Sequence, residues 1–485
     1  MLSQFATQLV TLLFLAVAPK YLGDTSYGEL AFAVTFVGFF AVVANLGTKT
    51  FLVRKIARSP DLLGRYLVNS CAMKIELGLV LSCLAAALAL ILGYSERIVL
   101  LVEIGCIGMI FAALTDVLQG GLQARERMGE MALWGALQQY VIVGLIIAVL
   151  VTHVGGAVWV MAIVSVGQAI SVAAYGYKLW PEMRGESVLE LRVWRDVLVG
   201  GLPFVLWTGI LMIYGSIDII MLQSMSGSTT VGWYNLAYTW VGIPIAIPTI
   251  LMTVFLPQLS TMAIRNPRSF RWKVNQTLCA TVLICTPMAV GVALVAGNLL
   301  SLLGYPSGYH HAIVLIQILA VHIPIVAIDM IMSTALIAKD RQKAWVVVGI
   351  VAAVFNPLVN LAAIPWAMHR FSNGAIGASI VTVLTELVML AGAIILRPAG
   401  VMNRATVLYI LRCAIASLAM IPPVIAIAGA SLPAKIAVGV AVFTVAAFAL
   451  RVVSIKELRG GIGETLDLLH RRSLAPVPTT GSRAQ

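Results

Sequence analysis

The sequence predicts an all-α integral membrane protein with about 14 transmembrane helices, and three observations predict it. First, 60% of the 485 residues are hydrophobic and 11% are charged, with a mean hydropathy of +0.99. A water-facing chain needs roughly a quarter of its residues charged. Second, the apolar residues come in runs of about 18 to 25, the length that crosses a hydrocarbon core of about 30 Å. Third, Lys and Arg cluster after every second run, the signature of loops held on one side of a membrane.

Taken in order, the first half holds spans at 2–19, 28–50, 67–93, 97–120, 131–152 and 156–177. The second half repeats the count at 198–221, 232–256, 276–303, 312–338, 344–364 and 374–396, and two more spans follow at 405–429 and 433–454. Short Gly-, Ser- and Asn-rich joints such as "GDTSYG", "SGSTTVG" and "RFSNGAIG" separate many of them. This gives a six-helix lobe over 1–180, a linker at 181–197, a second six-helix lobe over 198–397, two added helices over 398–455 and a partly disordered tail at 456–485. The tail has room for one short helix near Glu464 to His470. An A-x-A at Ala16 and Ala18 resembles a signal-peptide end. No basic residue precedes that run, however, and Pro19 would follow the cut.

Orientation follows from the basic loops. One set carries Lys49, Arg54, Arg58, Arg125, Lys178, Arg184, Arg265, Lys339, Arg397 and Arg404, among others, whereas the opposite loops hold only Lys20, Arg97, Arg370 and Lys435. The first set is expected in the cytoplasm with both termini, in a bacterial cytoplasmic (inner) membrane.

The chain also matches itself. At a shift of 204, Gly23, Thr25, Gly28, Ala33, Thr35, Val37, Gly38, Phe51 and Leu52 recur as Gly227, Thr229, Gly232, Ala237, Thr239, Val241, Gly242, Phe255 and Leu256. Apolar composition alone gives about three identities in such a window. Each copy is a Gly-x4-Gly turn followed by a helix running to a basic loop, so the halves are expected to be parallel and related by an axis along the membrane normal. They differ in proline. The second half carries Pro203, Pro244, Pro248, Pro287, Pro324, Pro357 and Pro422–Pro423 within its apolar runs, and is expected to be the more bent and mobile.

Several functions are argued against. The net charge of +12 is dispersed through loops, so nucleic acid is not an expected partner. All six cysteines lie in or beside apolar runs with no metal spacing. No phosphate-cradling G-x-x-x-x-G-K-[ST] and no H-E-x-x-H occurs, so neither an ATP-driven pump, a metal site nor a cofactor is expected.

In "YLGDTSYGELAFAVTFVGFF" and "NLGTKTFLVRKIAR", in "GSIDIIMLQSMSGSTTVGWYNLAYTW" and "VFLPQLS", and in "NPLVNLAAIPWAMHRFSNGAIGASIVTVLTE", the sequence resembles a known family. It is that of polysaccharide and oligosaccharide-lipid flippases, within the multidrug/oligosaccharidyl-lipid/polysaccharide exporter superfamily. Asn360, Ile364, Pro365, Gly374, Gly377 and Glu386 fall on its pattern, and the resemblance runs over residues 1 to 455. One departure is that the first helix begins at Met1 without the basic residues usual before it. The resemblance implies two lobes around a central cavity and a carrier rather than an enzyme. Such a carrier moves a polyprenyl-pyrophosphate-linked oligosaccharide by alternating access, for cell-surface polysaccharide synthesis. Membrane lipids and a polysaccharide polymerase or export machinery are the implied partners. The alternatives within the superfamily are an ion-coupled multidrug exporter and a lipid II flippase. A membrane polymerase or ligase needs a sizeable outer loop, which the sequence lacks.

A pyrophosphate calls for cations facing a wet interior. Lys74 in the third span and Arg412 in the thirteenth are the candidates within the membrane, with Lys49 and Arg54 at the inner mouth of the second. Each has a plainer reading as a side chain snorkelling to the interface. Asp218 and Asp329 lie deep in apolar helices, and His322 precedes Asp329 by about two turns, so a protonatable pair could couple transport to a proton gradient. The plainer reading is a hydrogen bond between helices. Asn356 and Asn360, one turn apart, read as helix glue. Tyr214, Trp233, Tyr234, Tyr238 and Trp240 suit either sugar stacking or an interfacial belt.

Overall fold

The computed structural model describes the backbone of residues 2–185 and 188–453, with side chains from Leu13 onward. The expected tail at 456–485, with its short helix near Glu464 to His470, lies outside the described residues. Among those residues the chain is helical and contains no strand. Lipid offers no hydrogen-bond partners, so an apolar run must satisfy its backbone within itself.

The first half comprises α1 (Leu2–Asn45), α2 (Thr48–Arg58), α3 (Leu63–Ile91), α4 (Glu96–Ala124), α5 (Met128–Val151) and α6 (Ala157–Met183). The second comprises α7 (Leu191–Ser226), α8 (Ser228–Arg265), α9 (Pro267–Leu302), α10 (His310–Ala320), α11 (His322–Ala338), α12 (Gln342–Phe371) and α13 (Gly374–Leu396). Then come α14 (Arg404–Leu418), α15 (Ile421–Ala426) and α16 (Leu432–Ala449). Among the described residues, thirteen helical stretches are long and apolar enough to cross a membrane. The first holds two runs, because α1 breaks at Gly23 (φ 74°, ψ 171°) into segments 2–22 and 24–45. Counting both gives the expected fourteen, six in each half and two appended.

The repeat survives in the backbone. Gly227 ends α7 with φ 86° and ψ 172°, the conformation that Gly23 takes, and a side chain at either position would be strained. Within the first half α4 packs on α3, α6 and α1, while within the second α12 packs on α13 and α7, and α8 on α11 and α9. The halves meet through α1 against α7 and α8, and through α2 and α3 against α7. The appended helices rest chiefly on α9.

Two expectations need correction. The second span does not run to residue 50: it ends at Asn45, and Leu46 (φ 49°) and Gly47 (φ 58°) turn the chain into the separate helix α2. That helix is amphipathic, burying Thr48, Leu52 and Ile56 and exposing Arg54 and Arg58. Proline also acts unevenly. The expected span at 312–338 is interrupted at Val321, just before Pro324, and the span at 405–429 is interrupted at Ala419–Met420, just before Pro422–Pro423. By contrast α8 keeps helical hydrogen bonding through Pro244, Pro248 and Pro257, and Pro19 lies inside α1.

Candidate functional site

The halves touch at both ends of their junction. At the end carrying the Gly turns, the Thr25 and Thr229 hydroxyls lie 2.9 Å apart, at a sequence separation of 204 that equals the repeat shift. A Cβ on Gly28 would overlap the Ser228 carbonyl oxygen, and one on Gly232 would overlap that of Asp24. Asp24 and Ser228 are themselves repeat equivalents, so these overlaps are one self-complementary contact seen from both sides of a two-fold axis. Only glycine at both positions lets the helices come this close. Trp233 Nε1 donates to Asp24 Oδ2 at 3.1 Å across the same junction, and His311 stacks on the Trp233 ring at 4.3 Å.

At the opposite, basic end, α2 and α3 meet the start of α7. The Leu46 carbonyl abuts Gly201, Phe51 covers Gly200 and Phe204 covers Gly47. Tyr66 donates to Asp196 Oδ2 at 3.1 Å, and Arg65 pairs with Glu190. Asn69 fastens the linker, donating to the Val188 carbonyl at 3.1 Å and accepting from the Glu190 N–H at 2.6 Å.

The four expected cations occupy different surroundings. Lys74 is 1% exposed, and its ammonium donates to the carbonyls of Ala44 at 2.5 Å and Asn45 at 2.7 Å. It caps the C-terminal end of α1 at the corner where the chain turns into α2, where a cation also meets the negative end of the helix dipole. Lys49 is half-buried and donates to Gln119 Oε1 at 2.7 Å, with Asp116 within electrostatic reach of both lysines. Arg54 is exposed on α2 at the basic end. Arg412 lies apart on α14, which touches α9 and α16 rather than the junction. Replacing Lys74 with Met should lower stability by about 1–3 kcal/mol, because two buried carbonyls lose their donor. Thermal unfolding of the detergent-solubilised variant checks this; an unchanged midpoint would show the cap to be dispensable.

Inside the second lobe the structure gathers a polar network. Asp218 on α7 is 2% exposed; it accepts from Tyr234 on α8 at 2.9 Å and from Asn360 on α12 at 2.5 Å, with the Thr382 hydroxyl of α13 at 3.2 Å. Asn360 also donates to Asn356 at 2.9 Å. Tyr234 stacks on Tyr238, whose ring stands 6.3 Å from that of His322. His322 faces Glu386 on α13, with Nδ1 3.7 Å from Oε1, close enough to pair when the imidazole carries a proton. Asp329 is buried in α11, seven residues and about 10 Å along the axis from His322. His322 Nδ1 and Glu386 Oε2 are buried without a hydrogen-bond partner. Four helices therefore present carboxylate, amide and hydroxyl groups to one interior region, a donor set suited to a proton or a hard cation.

Sequence reasoning singled out Asp218, His322 and Asp329, read Asn356 and Asn360 as helix glue, which the Asn360 bond from α12 to Asp218 on α7 matches, and set Tyr234 among stacking or interfacial residues. The usable signal was the pairing of a deep Asp with two amides one turn apart. Of the other aromatics, Trp240 lines a cleft of about 460 Å³ between α8, α9, α15 and α16. That cleft is otherwise walled by apolar groups such as Ile243, Pro287, Val292, Val424 and Phe443, with Lys435 as its cation. Lys435 donates to Asn298 at 2.8 Å.

Comparison with known proteins adds the family. The profile of the polysaccharide biosynthesis protein family matches residues 1–263, more than half of the chain. No curated protein is a match. Among solved structures, lipid II flippase MurJ in an inward closed conformation is similar with a TM-score of 0.75 at 14% identity, over 93% of this chain and 98% of that one. An inward-facing multidrug resistance MATE family transporter of the MOP superfamily gives a TM-score of 0.65 at 17% identity, over 80% of this chain and 92% of its own. Identities this low establish the fold alone, while the profile covers the first half and the second copy of the repeat, which ends at Leu256. This multi-pass membrane chain thus belongs to the polysaccharide biosynthesis protein family, folded like the MOP-superfamily transporters.

Proposed function

We propose that this protein is a flippase that carries a polyprenyl-pyrophosphate-linked oligosaccharide across the cytoplasmic membrane by alternating access, with its basic end in the cytoplasm. The observation that carries the reading is a lobe junction closed at each end by a small set of separable contacts. Each seal leaves the opposite one free to open, so a path can face either side in turn. Arg54 and Lys49 on α2 sit where a pyrophosphate from the basic-side leaflet would arrive. The apolar cleft beside α8 and α9 offers the prenyl tail a place outside the junction. In this reading Asp218 and the His322–Glu386 pair bind the coupling cation within the second lobe.

The test is reconstitution. Purified protein in liposomes should move a glycan-labelled polyprenyl-pyrophosphate oligosaccharide from one leaflet to the other, read as label becoming sensitive to an impermeant glycosidase. It should not export organic cation dyes. Dye export without glycan movement would make it a multidrug exporter of the same fold.

A further inference from the structure

We infer that Arg397, Arg404 and Arg412 form a binding site for the headgroup of an anionic phospholipid in the leaflet at the basic end. A recess of about 550 Å³ opens where the connection from α13 enters α14, lined by Arg397, Asn403, Arg404 and by Val407, Leu408 and Leu411. Its lining contains no acidic side chain. Arg397 is exposed and, among the described residues, donates only to the Ile394 carbonyl of its own helix end, at 3.1 Å. Among the described residues, neither Arg404 nor Arg412 has an ion-pair or hydrogen-bond partner.

Geometry fixes the class of ligand. Leu408 is 48% exposed, Leu411 55% and Ile415 56%, so this face of α14 meets acyl chains. Arg412 lies eight residues past Arg404, about 12 Å deeper along the same helix. A guanidinium in that position is costly unless it reaches an anion, and its long apolar stem lets it reach toward the interface. A phosphodiester at the level of Arg404, with chains running along Leu408 and Leu411, satisfies two planar donors at once. Basic groups beside a membrane surface attract anionic lipids in the same way. The site stands outside the lobe junction because α14 packs on α9 and α16. It is therefore separate from the path proposed for the substrate.

The experiment is native mass spectrometry of the delipidated full-length protein, titrated with phosphatidylglycerol or phosphatidylcholine. Phosphatidylglycerol should be retained over phosphatidylcholine, and the Arg397→Gln/Arg404→Gln/Arg412→Gln variant should lose roughly tenfold or more of that retention. The corresponding triple Lys variant should recover part of it, which separates binding from misfolding. A control that removes the same charge elsewhere, Arg58→Gln/Arg125→Gln/Arg184→Gln, should bind as the parent does. Equal loss in the control, or equal retention of both lipids, would overturn the inference in favour of diffuse attraction. Preferential retention of a polyprenyl pyrophosphate by these arginines would overturn it in favour of the substrate. None of these readouts depends on transport, so they stand apart from the flippase assay.

Discussion

A Thr25→Cys/Thr229→Cys variant should lose transport completely when oxidised and regain it on reduction. The two hydroxyls lie 2.9 Å apart, so sulfurs in their place fall within reach of a bond of about 2.05 Å. A covalent bond cannot be spread by substrate binding, whereas the native end is held by packing at Gly28 and Gly232 and by hydrogen bonds worth about 0.5–1.5 kcal/mol each. Cross-linking should therefore hold the Gly-turn end shut and drive the labelled-glycan signal to background. Single-cysteine variants should be unaffected by oxidant. Full-rate movement in the cross-linked protein would show that this junction need not part. Replacing Gly28 with Leu should act in the opposite direction, forcing the same end apart and lowering stability, because the Ser228 carbonyl occupies the space.

The second large effect is expected at Asp218. Asp218→Asn keeps the volume but removes the charge that Tyr234 and Asn360 surround. If this carboxylate holds the coupling cation, transport should fall about 100-fold or more, on the scale of removing one buried charge–dipole site of about 2.7–4 kcal/mol. The residual rate should no longer respond to pH or to sodium. Unfolding temperature supplies the discriminating readout. A merely structural carboxylate would lower stability and leave the cation dependence of the remaining activity intact. His322→Asn serves as the companion, since it breaks the contact to Glu386 without touching Asp218.

The parts of this molecule that sequence revealed are those set by solvent. A helix facing lipid must be apolar over its whole length, so the runs could be read directly as the thirteen membrane-length helical stretches, the first of which holds two of them. The repeat was legible for a related reason: Gly23 and Gly227 share one strained backbone conformation, and Gly28 and Gly232 share one contact, so neither pair tolerates other residues. Polar partners were harder. Lys74 read either as a cavity cation or as a snorkelling side chain, and its two carbonyl acceptors belong to a corner at Ala44–Asn45 that local pattern did not announce. The helix Thr48–Arg58 was hidden behind an apolar run that continues past the turn. His322 and Glu386 meet only through the packing of α11 on α13, sixty-four residues apart in the chain (386 minus 322).

One helix ties the junction to the cleft beside the lobe. Thr229 sits in the first turn of α8, and Pro244 on the cleft wall lies fifteen residues further along (244 minus 229), about 22 Å down the same axis. The opposite wall, built on α15 and α16, packs on α9. In the proposed cycle, swinging the head of α8 away from α1 would tilt the same helix that walls the greasy groove. A rigid wedge placed in that groove should then act at the far end as a latch.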